Sequence, residues 1–256
     1  MSGTIILIDG PAGCGKTTIA CGMPEPRAML ETDYDGSLWV RDCFSEYEFC
    51  HDLAKTRQIL MRWADHPKLA SIVVDTHAYF WQQLSQHVLD DETRKRDFNT
   101  TNLFKAWGPA GISVQRLYDP YMRAKRAGKH VLLSSHTKEQ LSQGDDMKVT
   151  KEGLRANCEP ITRIGPIVDV HLRVHWNVKT DHRRIETIKC RPQRDWKPLL
   201  PKFIDIPDGE SHLMYPRILE LIGLTPEGNS VADTEADDVA ALNAMQAASK
   251  VAAGGR

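Results

Sequence analysis

Short apolar runs alternate with amphipathic stretches along the first half of the chain. The runs Ile5–Ile8, Pro26–Leu30, Ala70–Val74 and His130–Ser135 are mostly apolar with no regular alternation. Strands of this kind are typical of a parallel sheet whose two faces are both covered by other elements. We therefore predict a mostly parallel sheet in which these runs are strands.

Helical periodicity fills the intervals between the predicted strands. Apolar residues recur at helical spacing among charged residues, which is the pattern of helices packed on a sheet. We predict helices at 17–21, at 44–66 as one helix or two, at 78–89, at 111–127 and at 213–221.

The second half of the chain changes in pattern. Residues 137–160 are polar, broken by glycine and weakly periodic, which is typical of a long functional or mobile loop. Ile167–Val174 and Arg184–Lys189 alternate between apolar and polar residues, which indicates an antiparallel pair with one solvated face. The predicted architecture is an α/β fold whose parallel core ends in an antiparallel β-hairpin.

The chain of 256 residues is predicted to form one domain and a tail. Residues 1–224 carry the predicted strands and helices, whereas 225–256 begin with Pro and Gly and continue into acidic and alanine-rich sequence. Such composition buries too little apolar surface to fold alone. We predict a linker followed by a flexible tail.

Composition limits the function classes. Thirty-three basic and 34 acidic residues give a net charge of −1, so any contact with nucleic acid must come from local basic patches. The six cysteines form no CxxC pair, and no window reaches about 18 apolar residues, the length of a membrane span. The expectation is a cytoplasmic protein with reduced thiols and no membrane partner.

The strongest chemical signal is Gly10-Pro-Ala-Gly-Cys-Gly-Lys-Thr17, between a predicted strand and a predicted helix. This spacing is a P-loop, whose backbone N–H groups surround a phosphate chain. Lys16 is expected to reach the β- and γ-phosphates of ATP, and the Thr17 hydroxyl to bind Mg²⁺. The predicted nucleotide-binding residues are Gly10, Pro11, Ala12, Gly13, Cys14, Gly15, Lys16, Thr17 and Thr18.

Asp75 ends the predicted strand Ala70–Val74 about sixty residues after the P-loop. An acid at the end of a buried strand, opposite the P-loop threonine, is the Walker B pattern. We predict that Asp75 and Thr17 together hold the magnesium ion.

Two further sites follow strands that end at the same edge of the predicted sheet. Glu31 or Asp33, in the acidic turn 31–36, would polarise the attacking water; the alternative is that these acids cap a helix and stay solvated. His136 follows the strand beside Walker B and would sense the γ-phosphate; the alternative is a turn residue.

Bases and aromatics mix in residues 90–107. One interpretation is a single-strand binding loop in which cations meet phosphates and an aromatic ring stacks on a base. The other is that the aromatic residues, among them Phe104 and Trp107, pack against the next helix while the charged side chains stay solvated.

Taken in this order, the P-loop, Glu31-Thr-Asp33, Asp75-Thr76, His136 and Ile185–Pro192 resemble RecA-core ATPases. More narrowly, the chain resembles the phage nucleotide-binding group that contains RecA-like single-strand annealing recombinases. The resemblance covers roughly residues 3–205 and implies a RecA-like fold, ATP hydrolysis and host-cytoplasmic location. Asp33 falls where the family has a water-activating glutamate and is one methylene shorter.

The resemblance also implies partners. The family's DNA-contacting loops fall near 93–108 and 137–160, which gives as DNA-binding candidates Arg94, Lys95, Arg96, Phe98, Lys105, Lys138, Lys148, Lys151 and Arg155. Lys189 and Arg191 match a strand that presents cations to a neighbour's γ-phosphate in RecA-type filaments. Single-stranded DNA, a homo-oligomer or filament, and a single-strand-binding protein are the implied partners.

The leading hypothesis is a DNA-stimulated ATPase of recombination, in which water attacks the γ-phosphate. Two alternatives stay open. A P-loop kinase would need a lid of clustered arginines, for which Arg155, Arg163, Arg183, Arg184, Arg191 and Arg194 are available. An ATP-dependent switch would bind a protein partner and turn over slowly.

Overall fold

The sheet predicted from the apolar runs is present and extends beyond them. The structure is a computed structural model that describes residues 3–32, 38–80, 82–83, 86, 90, 112, 114–143, 149–156, 164–191, 200–207 and 209–221, with backbone alone for Leu38 and for the described part of 138–156. The strands are β1 (Ile5–Gly10), β2 (Arg27–Glu31), β3 (Glu46–Phe49), β4 (Ser71–Asp75), β5 (His130–Gln143), β6 (Val149–Ala156), β7 (Val170–Asn177), β8 (His182–Cys190) and β9 (Phe203–Ile206).

The strand order is β3-β2-β4-β5-β1-β7-β8-β9. The first six strands of this order are parallel to one another. β8 and β9 are added antiparallel at the β7 side. The predicted class, a mostly parallel α/β sheet finished by antiparallel strands, is confirmed.

Helices cover both faces of the sheet. Within the described parts of the chain they include α1 (Lys16–Ala20), α2 (Leu53–Asp65), α3 (Tyr118–Arg126) and α4 (Met214–Leu221), with 3₁₀ turns at Leu38–Cys43 and Ser211–Leu213. α2 and α3 bury Trp63 and Tyr121 against one face. α1 and α4 bury Ile19 and Tyr215 against the other. The β1–α1 loop is therefore anchored to packed structure at both of its ends.

The helix predicted for 44–66 was wrong over its first part. Glu46–Phe49 is the edge strand β3, and α2 begins only at Leu53. Four alternating residues are too few to distinguish a strand from a helical turn, and this strand forms because β2 offers a free edge. Asp52 caps α2 by accepting a hydrogen bond from the Lys55 N–H at 2.6 Å.

The loop predicted for 137–160 was also wrong in its described part. β5 continues past the end of its neighbours to Gln143, and β6 returns antiparallel, with Thr137 opposite Ala156 and Lys138 opposite Arg155. A mostly polar sequence of this kind does not show the regular alternation by which a strand is recognised. A β-hairpin therefore projects from the nucleotide edge of the sheet.

β7 is a central strand and does not have the solvated face that its alternation predicted. It lies between β1 and β8, and its first five residues are buried. Its polar positions His171 and Arg173 are buried because they face an acid on β1, as described below. The sequence prediction also missed β9, which pairs with β8 through residues 203–206.

The predicted tail, 225–256, lies outside the described residues, so the domain boundary stays a prediction. Among the residues that the structure describes, no helix is long and apolar enough to cross a bilayer.

Candidate functional site: a phosphate loop facing a paired acid and threonine

The P-loop connects β1 to α1 and takes the shape that its glycines allow. Gly13 and Gly15 have φ angles of 76° and 97°, in the left-handed region where a side chain would be strained. Lys16 is buried, and its ammonium group donates to the carbonyl oxygens of Gly10 at 3.1 Å and Pro11 at 2.8 Å. The lysine therefore lies along the loop, within reach of a phosphate chain bound there.

Thr17 and Asp75 meet as the sequence predicts. The Thr17 hydroxyl donates to Asp75 Oδ2 at 2.7 Å, although 58 residues separate the two along the chain. A hydroxyl and a carboxylate are the oxygen donors that Mg²⁺ prefers, and Mg²⁺ keeps its remaining positions for water and phosphate. These residues fit a magnesium ion bound between the loop and β4.

Ser134 is a site residue that the sequence analysis missed. Its hydroxyl donates to Asp75 Oδ1, so the carboxylate is held from both sides. Ser134 lies on β5, the strand between β4 and β1. The available signal was a hydroxyl residue directly after the apolar run 131–133.

The residues behind Asp75 form a second layer of hydrogen bonds. Thr76 donates its hydroxyl to the Ser134 carbonyl at 3.0 Å, and the His77 N–H donates to the same oxygen at 2.8 Å. Burial lowers the pKa of His77 to about 4, so this imidazole is neutral at pH 7. His77 therefore contributes its backbone N–H to this layer and no positive charge.

Glu31 lies at the predicted edge of the sheet. It ends β2 in register with Asp75 on the adjacent strand β4. The carboxylate is buried and accepts a hydrogen bond from the Tyr47 hydroxyl on β3. Asp33, the other candidate for orienting water, lies outside the described residues, so neither role is decided and both stay predictions.

His136 is placed beside the P-loop. β5 pairs with β1 so that His136 stands opposite Gly10, the first residue of the loop, and its side chain is half-buried. A histidine at this position is next to the loop that would hold the phosphate chain. The sensor role remains a prediction that this placement supports.

A buried ion pair under the P-loop is the other feature that the sequence analysis missed. Asp9, the residue before Gly10, is fully buried, and Arg173 on β7 donates to it from Nη2 at 2.9 Å. His171 Nε2 lies 3.5 Å from the same carboxylate. Removing one partner of such a pair leaves an uncompensated buried charge. The pair fixes β7 against the strand that leads into the loop.

The DNA-binding candidates are only partly described. Arg94, Lys95, Arg96, Phe98, Lys105 and Lys148 lie outside the described residues. The backbones of Lys138, Lys151 and Arg155 lie on the β5–β6 hairpin, with Lys138 and Arg155 opposite each other. Three of the candidates are thus brought together on one projecting element.

The two candidates for action on a neighbouring subunit make contacts within their own chain. Lys189 donates to the Gly165 and Val168 carbonyl oxygens, the latter at 2.8 Å, and Arg191 donates to the Pro166 carbonyl at 2.9 Å. They hold the segment that precedes β7. A role in a neighbour's site would require them to leave these carbonyl groups, and it stays a prediction.

The parallel sheet and the loop between β1 and α1 define a P-loop nucleoside triphosphatase. The chain belongs to the AAA domain family (AAA_24), whose model matches residues 2–196. This membership implies nucleoside triphosphate binding and hydrolysis, typically with Mg²⁺. A crystal structure of the RadB recombinase is similar over 74% of this chain and 82% of that chain, at 15% identity and a TM-score of 0.44. No curated protein matches the chain.

Proposed function

We propose that this protein is a magnesium-dependent ATPase of DNA recombination that binds single-stranded DNA and works as an oligomer, of the kind found in phage recombination. The observation that carries the ATPase part is the 2.7 Å hydrogen bond between Thr17 and Asp75 beside a complete P-loop. In this arrangement Lys16 and the loop N–H groups bind the phosphates, while Thr17 and Asp75 hold the metal ion.

The chemistry proposed is in-line attack of water on the γ-phosphate. Catalysis of this reaction rests on positioning and on neutralising charge, which Lys16 and Mg²⁺ supply. Asp33 or Glu31 orients the water, and His136 responds to the loss of the γ-phosphate. Because His136 is part of β5, its movement would pass along the strand into the β5–β6 hairpin.

The DNA part of the proposal rests on the sequence resemblance and on the position of this hairpin. The same strand that stands opposite Gly10 continues into the segment where Lys138 is paired in register with Arg155. A hairpin that begins next to the nucleotide and carries Lys138, Lys151 and Arg155 offers a direct link between ATP state and phosphate contacts. Lys189 and Arg191 are the residues proposed to complete a neighbour's site in the oligomer.

Single-stranded DNA is expected to stimulate ATP hydrolysis, and the stimulation should fade as salt rises, because phosphate contacts release counterions. The measurement is the rate of phosphate release with and without oligodeoxythymidine from about 50 to about 300 mM salt. Over this range, salt increasingly screens contacts between exposed charges. A nucleoside monophosphate in a parallel series tests for a kinase. Stimulation by the monophosphate, or no effect of DNA at any salt concentration, would contradict the DNA part of the proposal.

The variant Lys138→Ala/Arg155→Ala makes this test residue-specific. Each phosphate contact with a single strand contributes about 0.7 to the slope of log affinity against log salt, so loss of both cations should reduce that slope by about 1.4. Lys55→Ala, on the exposed surface of α2, is the control and should leave the slope unchanged. An unchanged slope in the double variant would remove the hairpin from the DNA site.

A further inference from the structure

Glu31 and Asp75 stand side by side on the face of the sheet that α1 covers. The two acids end the neighbouring parallel strands β2 and β4 and are partners in register, so their backbones lie about 5 Å apart. Met29 and Val73, two residues before each acid, belong to the apolar cluster under α1. Because residues two apart on a strand point to the same face, the Glu31 side chain shares this face with the Thr17–Asp75 contact.

The backbone at this edge is fixed by hydrogen bonds between the two strand ends. The Thr32 N–H donates to the Asp75 carbonyl at 2.8 Å, and the Thr32 hydroxyl donates to the Thr76 carbonyl at 2.7 Å. The Thr76 N–H donates back to Thr32 Oγ1 at 3.0 Å. On the other side of β2, the Cys50 N–H donates to the Glu31 carbonyl at 3.0 Å. The backbone of Glu31 is therefore set relative to Asp75, and the orientation of its side chain is what remains to be fixed.

Tyr47 on β3 orients that side chain. Its hydroxyl donates to Glu31 Oε2. Glutamate loses much rotamer freedom when it is buried, so its carboxylate takes one orientation only if a partner fixes it. An ionised carboxylate has about four acceptor positions, so one bond from Tyr47 does not use up its capacity to accept from a water molecule. The tyrosine can hold the carboxylate without taking the place of the water.

Tyr47 is itself held in place. Its ring packs against the apolar cluster under α1, and the guanidinium carbon of Arg41 lies 5.4 Å from the ring centroid. β3 pairs with β2 so that Tyr47 stands opposite Met29, two residues before Glu31. The hydroxyl therefore reaches along the strand direction to the carboxylate from a ring that is fixed on both sides.

We propose that Tyr47 is a positioning residue for ATP hydrolysis, which holds the Glu31 carboxylate in the orientation in which it accepts a hydrogen bond from the attacking water. This assignment rests on the proposed function and gives the water-orienting role to Glu31 rather than to Asp33. β3 is separated from β1, which leads into the P-loop, by β2, β4 and β5. Loss of the tyrosine hydroxyl should therefore slow the reaction without weakening the binding of ATP.

The test is Tyr47→Phe, which removes the hydroxyl and keeps the ring. Because the lost bond is one to a charged group, kcat should fall about tenfold to hundredfold, while KM for ATP stays unchanged. A merely structural bond would lower the unfolding temperature and leave kcat unchanged. Tyr118→Phe is the matched control, since it removes a hydroxyl at the start of α3 on the opposite face of the sheet. It should keep the wild-type rate.

A double-mutant cycle tests whether Tyr47 acts through Glu31. Glu31→Gln should reduce kcat by itself, and Tyr47→Phe should cost little more in that background, because residues that act as a unit do not give additive losses. Asp33→Asn, measured beside Glu31→Gln, should cause the smaller loss. The readout for all variants is steady-state phosphate release over a range of ATP concentrations.

The outcomes separate this positioning role from the proposed function. Unchanged or increased kcat in folded Tyr47→Phe, additive losses in the cycle, or a larger loss in Asp33→Asn than in Glu31→Gln would overturn the role of Tyr47, while hydrolysis by the wild type leaves the proposed function in place. If the wild-type protein itself hydrolyses no ATP, the proposed function and the role of Tyr47 fail together.

Discussion

Lys16→Ala is expected to abolish ATP hydrolysis, with a loss of at least about 10²–10³-fold in turnover, the cost of removing one preorganised group that stabilises transition-state charge. The physical reason is the position of the ammonium group, which already lies on the loop between the carbonyl oxygens of Gly10 and Pro11. A bound phosphate chain would compete for the same group and replace those two contacts. The measurement is steady-state phosphate release at saturating ATP.

The matched control is Lys55→Ala, which removes the same side chain from the exposed surface of α2. It should hydrolyse ATP at the wild-type rate. Thermal unfolding of both variants separates loss of the site from loss of the fold, because Lys16 is buried and its removal leaves two carbonyl groups without this donor. Wild-type turnover in folded Lys16→Ala would remove the loop from the site.

Asp75→Asn has the second largest expected effect. The substitution keeps the shape of the side chain and a hydrogen-bonding partner for Thr17 and Ser134, but removes the negative charge that attracts Mg²⁺. Turnover should fall by about 10²-fold or more at millimolar magnesium, since the ion neutralises the phosphate charge in the reaction. Binding of ATP without magnesium should change little. The measurement is hydrolysis as a function of Mg²⁺ concentration.

Asp65→Asn is the control for this change. Asp65 ends α2, where its carboxylate pairs with Arg123 on the surface. The substitution therefore removes one negative charge, as Asp75→Asn does, but outside the proposed site. Its magnesium dependence should match that of the wild type. If Asp75→Asn and Asp65→Asn give the same magnesium curve, Asp75 does not hold the metal ion.

The parts of the fold that could be predicted are those in which a local pattern has one structural solution. The continuous apolar runs that became β1, β4 and the first part of β5 are of this kind, because they are short and β-branched, as strands buried on both faces are. The P-loop and Asp75 were found for the same reason, since their spacing specifies a backbone shape or a strand end.

The parts that could not be predicted depend on contacts between distant segments. β3 exists because β2 offers an edge, and the β5–β6 hairpin forms from a segment whose sequence is mostly polar. Asp9 and Arg173 are 164 residues apart, so their pairing appears only when β7 is placed beside β1.

The most direct test of the central claim is calorimetric titration of the wild-type protein with ATP and Mg²⁺. Saturable heat with one site per chain is expected, and binding should weaken when magnesium is removed. Titration to millimolar ATP without any saturable heat, in protein that unfolds cooperatively on heating, would contradict it.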